Sequence, residues 1–177
     1  MEIDDRLAPK NFSEDQAWMS DLVLIAKHVY VWLDQLSNKY GRKLTTINDI
    51  PDEELNEISK RGITGIWLIG VWERSQASKI IKRRMGNAQA SASAYSIHDY
   101  VIAKDLGGDD ALVALTEKSR RFNIRLGSDM VPNHMGIDSN WVVDHPEWFL
   151  NTDISPFPGY TFEGEYLAKN KQMGISL

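Results

Sequence analysis

The sequence predicts an α/β fold built on a parallel sheet. Three observations lead there. Short runs of β-branched and aromatic residues recur along the chain, amphipathic segments with helix signals separate them, and the order is strand, helix, strand, helix, strand.

The first strand is read at Val29 to Leu33, Val-Tyr-Val-Trp-Leu, a short run apolar on both faces. A helix from Asp21 to Lys39 is the competing reading, and Asp21 to Ala26 stays open between helix and strand. The residues before Val29 read mainly as a polar lead-in, from which Phe12 and Trp18 can dock on the body. A helix follows over Pro51 to Arg61. Pro51 suits its first position, Asp52, Glu53 and Glu54 suit the dipole of its first turn, and Gly62 marks its end. Leu55 and Ile58 share one helical face.

Gly65 to Gly70 reads as a second, fully buried strand. Trp72 to Ala94 has no clean period and is expected to be a long connection with some helix, a kind of loop that often carries function. Asp109 to Phe122 is the next helix. Asp109 or Gly108 caps it, Leu112, Leu115 and Phe122 fall on one side, and Asn123 ends it. Ile124 to Val131 is the third strand. Its alternation sets Ile124, Leu126, Ser128 and Met130 on one face and Arg125, Gly127, Asp129 and Val131 on the other. From Pro132 onward the period is lost. Trp141, Trp148, Phe149, Phe157, Tyr160 and Phe162 lie there among Pro and Gly, which suggests a long excursion at the carboxyl end of the sheet.

Composition narrows the function. With 177 residues and 42 % hydrophobic content the chain can pack one domain, but it is short of the about 250 residues of a closed (β/α)8 barrel. A net charge of −5 argues against a nucleic-acid partner, because phosphate neutralisation needs clustered Lys and Arg. The one basic cluster, Lys79, Lys82, Arg83 and Arg84, reads as a solvated face. Glu2, Asp4 and Asp5 stand where a leader peptide would be basic. The longest apolar stretch, Leu22 to Ala26, is far below the about 20 residues of a membrane span. Together with the absence of cysteine, this leads us to expect a soluble, cytoplasmic protein with no membrane partner and no disulfides.

Ligands of parallel sheets bind beyond the carboxyl ends of the strands. Two clusters fall there. Asp129, Asn133 and His134 join a carboxylate, an amide and an imidazole, a set able to hydrogen-bond a polyhydroxy ligand or ligate a cation. The bland reading is a buried Asp tying down its own loop beside a structural His. Tyr95-Ser96-Ile97-His98-Asp99-Tyr100 follows the second strand. A tyrosine there suits a sugar platform, and plain packing under a loop is the alternative. His98 and Asp99 are adjacent in sequence and so poorly placed to act as a dyad. Neither a zinc spacing nor a calcium-binding aspartate ladder is present, and there is no nucleophile elbow or phosphate loop. Glu163 and Glu165 form only a weak carboxylate pair on an irregular segment.

These segments resemble the α-amylase family of glycoside hydrolases. Asp129-Met130-Val131-Pro132-Asn133-His134 is similar to the family's first signature, an Asp followed four positions on by Asn-His. Tyr95 to Tyr100 is similar to its segment after the second strand, and Gly62-Ile63-Thr64-Gly65-Ile66-Trp67-Leu68 to the second strand itself. The resemblance implies the first three βα units of a TIM-type (β/α)8 barrel. Residues 1–28 would be the lead-in, 29–134 the partial barrel, and 135–177 the start of the insertion after strand 3. It implies substrate-binding roles for Tyr95, His134 and Asp129 on an α-glucan or oligosaccharide, and structural roles near the site for Asp99 and Asn133. No cofactor is required; calcium at Asn133 is an option the family leaves open.

The sequence departs from the family at Ala94, in place of a glycine, and at Ser96, in place of an acid. The family's nucleophile, acid/base and third carboxylates follow its fourth, fifth and seventh strands, and no residue here matches them. The expectation is therefore an N-terminal fragment of a retaining hydrolase or transglycosylase of α-glucosidic bonds in carbohydrate metabolism, inactive alone and prone to self-association through open sheet edges. A non-catalytic carbohydrate-binding or interaction protein on the same half-sheet is the alternative.

Overall fold

A computed structural model of the chain describes residues 18–152, 154, 155 and 157–159. The predicted features at Phe12, Tyr160, Phe162, Glu163 and Glu165 lie outside these residues. Three parallel strands form the central sheet: β1 (Leu24–His28), β2 (Gly65–Ile69) and β5 (Arg125–Ser128), with β2 in the middle. Leu24 pairs with Gly65 and Gly65 with Arg125, so the three strands start level.

The first strand is not where the sequence placed it. Val29 to Leu33 opens helix α1 (Val29–Tyr40), and the strand lies just before it, within the segment read as lead-in. The residues α1 buries, Val29, Trp32, Leu33 and Leu36, recur at helical spacing against the core. The five-residue apolar run hides that period. The preceding Leu-Ile-Ala-Lys-His is only half apolar because β1 is partly exposed. Beyond Gly41, a 3-10 turn over Ile47–Asp49 leads into helix α2 (Asp52–Lys60). Pro51 stands at the N-cap, one residue before its predicted place. Gly62 adopts φ +79°, the left-handed conformation that ends a helix cheaply only for glycine.

β2 buries Ile66 and Leu68 against the helices, but the other face of the strand is not fully buried: Trp67 is 38 % exposed. The chain then leaves the sheet for a second, antiparallel ribbon of β3 (Trp72–Arg74) and β4 (Ile97–Ile102). Between them lies helix α3 (Gln76–Arg84), which carries the basic cluster at its C-terminal end. The Ala103 N–H donates to the Val71 carbonyl at 2.8 Å, closing the ribbon at its base. Helix α4 (Gly108–Arg120) returns the chain to β5. Its N-cap is Gly107 at φ +99°, not Asp109 or Gly108. Asn123, at φ 57°, turns the chain out of α4 as expected.

Ile66 and Leu68 from the sheet and Ile124, just before β5, meet Val29, Leu33 and Leu115 from the helices in one apolar core. Trp18 lies under the Arg125 guanidinium at 4.4 Å. Helix α5 (Asn140–Asp144) and a 3-10 turn at Pro146–Trp148 follow the sheet. No helix among the described residues is long and apolar enough to cross a membrane.

Candidate functional site at the carboxyl end of the sheet

The ladder of β5 ends at Ser128, three residues before the predicted end of that strand. Ser128 Oγ donates to the Leu68 carbonyl at 3.1 Å, and the chain then enters the 129–134 turn. Asp129 is half-buried. Ser128 Oγ lies 3.5 Å from its Oδ1, while Oδ2 is buried with no hydrogen-bond partner among the described residues. A buried carboxylate oxygen without a donor is costly. Its own main chain is engaged: the Trp72 indole N–H donates to the Asp129 carbonyl at 2.7 Å.

At the end of the turn, His134 Nε2 sits 3.1 Å from the Tyr95 carbonyl oxygen and Nδ1 sits 2.9 Å from the Asn133 side-chain amide. The Tyr95 carbonyl and the Asn133 amide oxygen, Oδ1, can each only accept, so whichever ring nitrogen carries the proton is the one that donates. The structure therefore brings Tyr95, Asn133 and His134 together. The contact runs through the Tyr95 main chain, which leaves its ring 48 % exposed at the surface.

Asp99 lies in β4. Its Oδ1 accepts from the Tyr100 N–H at 2.8 Å and from the Trp141 indole at 3.2 Å, which ties β4 to α5. The His98 carbonyl accepts from Ser139 Oγ at 2.7 Å.

The segment after the turn is anchored rather than loose. The Gly136 N–H donates to the Ile97 carbonyl, and buried Asp138 Oδ2 accepts the N–H groups of Gln76 and Ala77 at 2.9 and 3.1 Å, capping α3 from a distance. Trp72, Tyr100, Trp141 and Trp148 then form a ladder of rings with successive centroids 5.2, 5.7 and 5.9 Å apart. With Met130 and His134 these rings line a cavity of about 510 Å³. A larger hollow of about 770 Å³, beside Asp34 and Arg42, includes no residue of the turn.

Sequence reading missed the mouth of β1. His28 Nδ1 is buried without a partner among the described residues. Burial, with the Arg74 guanidinium nearby, holds this imidazole below its ordinary pKa. Arg74 donates to the carbonyls of Gly70 at 2.9 Å and Ala92 at 3.3 Å and lies over the Tyr30 ring at 4.3 Å. No local signal marks such residues, because Tyr30 and Ala92, which meet Arg74, are distant from it in sequence. Among the described residues no group of three or more His, Cys, Asp or Glu could hold a metal ion, and Asn133 Oδ1 lies 2.9 Å from His134 Nδ1.

The family model of the α-amylase catalytic domain matches residues 34–154. The chain belongs to the α-amylase family. No curated protein matches it. Among solved structures, a noncanonic maltogenic α-amylase from Thermotoga neapolitana superposes with a TM-score of 0.57 at 20 % identity, over 76 % of this chain and 29 % of that one. An α-amylase from Lactobacillus plantarum does so with a TM-score of 0.52 at 19 % identity, over 78 % of this chain and 29 % of that one. At such identity the likeness is one of fold: a parallel α/β sheet matching part of an α-amylase barrel. The chain spans 29 % of the length of each of these two α-amylases.

Proposed function

We propose that these residues form the first three βα units of an α-amylase-type barrel and supply the sugar-holding side of a site for α-glucosidic bonds. The parent activity is that of a retaining hydrolase or transglycosylase in carbohydrate metabolism. The observation that carries this reading is the convergence of Tyr95 and His134 at the carboxyl end of the parallel strands. In the proposal the exposed Tyr95 ring is the platform for one pyranose, His134 hydrogen-bonds the same sugar, and the buried Asp129 oxygen orders the centre. Residues from 135 onward begin the insertion after the third strand.

A retaining mechanism needs two carboxyl groups about 5–5.5 Å apart across the scissile bond. Asp99 is bonded to the Tyr100 N–H and the Trp141 indole, and Asp129 is half-buried with one oxygen inaccessible, so neither is offered as nucleophile or acid/base. In this reading those groups belong to later strands, and the 177 residues bind without turning over.

The test is amide exchange of the chain with maltotriose at about 10 mM, a concentration suited to millimolar affinity. Expected is protection confined to the Tyr95 and Asn133–His134 segments, lost in Tyr95→Ala. No protection at either segment would refute the sugar site. A parallel assay on soluble starch should show no turnover above a His134→Ala control; turnover would refute the assignment of the carboxylates to later strands.

A further inference from the structure

Past Ser128 the chain has left the parallel ladder, yet Asp129 to Val131 stays held. The holding groups are side chains of the antiparallel ribbon. The Trp72 indole N–H donates to the Asp129 carbonyl at 2.7 Å. The Tyr100 hydroxyl donates to the Val131 carbonyl at 2.8 Å and accepts the Val131 N–H at 2.9 Å. That reciprocal pair copies the exchange between two residues of a hydrogen-bonded antiparallel pair, with one hydroxyl in place of a backbone. The two rings meet edge to face, centroids 5.2 Å apart at 71°, a favourable geometry for aromatic pairs. Trp141 packs on Tyr100 at 5.7 Å and donates to Asp99.

We propose that Trp72 and Tyr100 are positioning residues. They form a side-chain splint that extends the third parallel strand by three residues and so aims Asn133 and His134 at the Tyr95 loop. Residues 129 and 131 are alternate positions on an extended chain, so holding both main chains fixes where the following Pro132 turn begins. Tyr100 and Trp72 need not touch the ligand for this. Their value to activity rests on the sugar-site reading above, whereas the splint itself does not.

The Tyr100→Phe substitution isolates the hydroxyl, because the ring and its packing on Trp72 and Trp141 are kept. Amide exchange of the whole chain, read by mass spectrometry at low protein concentration, is the measurement. In Tyr100→Phe the Val131 amide is expected to exchange about five- to tenfold faster, the loss of one net hydrogen bond, and the increase should spread to Asn133 and His134. The β2 amides of Ile66 and Leu68 should keep their protection. Trp72→Phe, which removes the indole donor, should loosen 130–134 with β2 again unchanged.

Unaltered exchange at Val131, Asn133 and His134 in Tyr100→Phe overturns the proposal. So does equal loosening of β2 and the turn in both variants, since that is a role in general stability. Splint effects as expected, with no maltotriose protection in the unmodified chain, would leave the splint standing and refute the sugar site.

Discussion

The Nε2 atom of His134 lies 3.1 Å from the backbone carbonyl of Tyr95, 39 positions earlier in the chain. One exposed hydrogen bond thus ties the loop after the second parallel strand to the turn after the third. Replacing His134 with Ala should shift the urea midpoint by no more than about 1 kcal/mol in stability, the net worth of such a bond. It should also open the loop around Tyr95 to proteolysis. A loop equally resistant in both proteins would show that the bond does not hold it.

Gly136 is wedged between two elements. A Cβ there would stand 2.5 Å from Ser75 Cβ and 2.9 Å from the Ile97 carbonyl oxygen, and both neighbours are buried. Gly136→Ala should therefore destabilise the chain by about 1–3 kcal/mol, the usual cost of overpacking. Chemical denaturation gives the answer, and a change within 0.5 kcal/mol either way (roughly the surface-substitution range) would contradict the fit.

Stability should fall with mild acid because of His28. Burial, then the Arg74 guanidinium, lower its pKa, against the opposing pull of its backbone hydrogen bond and Asp129. A folded pKa below the unfolded value means that the unfolded chain binds the proton first. The stabilisation is complete above about pH 6.5 and declines as pH falls toward the folded pKa. Asp49 has its carboxylate pKa lowered too. Burial opposes that shift, but the N–H groups of Thr46 and Thr45 outweigh it, and its effect belongs near pH 4 and below. Thermal melts between pH 7 and 5 should show a declining midpoint whose slope is reduced in His28→Asn. An identical slope in the variant would remove His28 as the cause.

Among the described residues, the outer edges of β1 and β5 pair with no strand. The sheet face opposite the helices shows Trp67 at 38 % exposure, and Met130 beyond β5 is 71 % exposed. Open edges next to apolar surface invite pairing with another chain. Size-exclusion chromatography with light scattering should give a mass above the 20.1 kDa of one chain. A monodisperse 20.1 kDa species with a sharp cooperative melt would show that the sheet completes itself in some other way.

β2 was legible because glycines bound a continuous apolar run. α4 was legible because its apolar period, charged first turn and terminal Asn123 agree. β1 was hidden because the more apolar run beside it belongs to α1. The ribbon was hidden because β3 is three residues long, its partner lies beyond a helix, and its register is irregular. The site divides the same way. Tyr95, Asn133 and His134 could be read from local motifs. Trp72, 57 residues from its acceptor at Asp129, and Asp138, 61 and 62 residues from the amides it caps, could not, because nothing local marks them.

The hydrogen bond from Ala103 to Val71 brings the two ends of the ribbon and α3 to a single point on the sheet. Everything from Trp72 to Ile102 thus leaves and rejoins the scaffold through one neck. Such a segment can be lengthened, trimmed or exchanged with little demand on the register of the parallel strands, since closing a longer loop costs only about 0.6 kcal/mol per doubling of length. For protein engineering this makes the excursion a cassette. Transplanting a foreign ribbon between Val71 and Ala103 is a route to a new binding rim on an unchanged sheet, provided the incoming piece carries donors for the carbonyls of Asp129 and Val131 and for buried Asp138, and an acceptor for the Gly136 N–H.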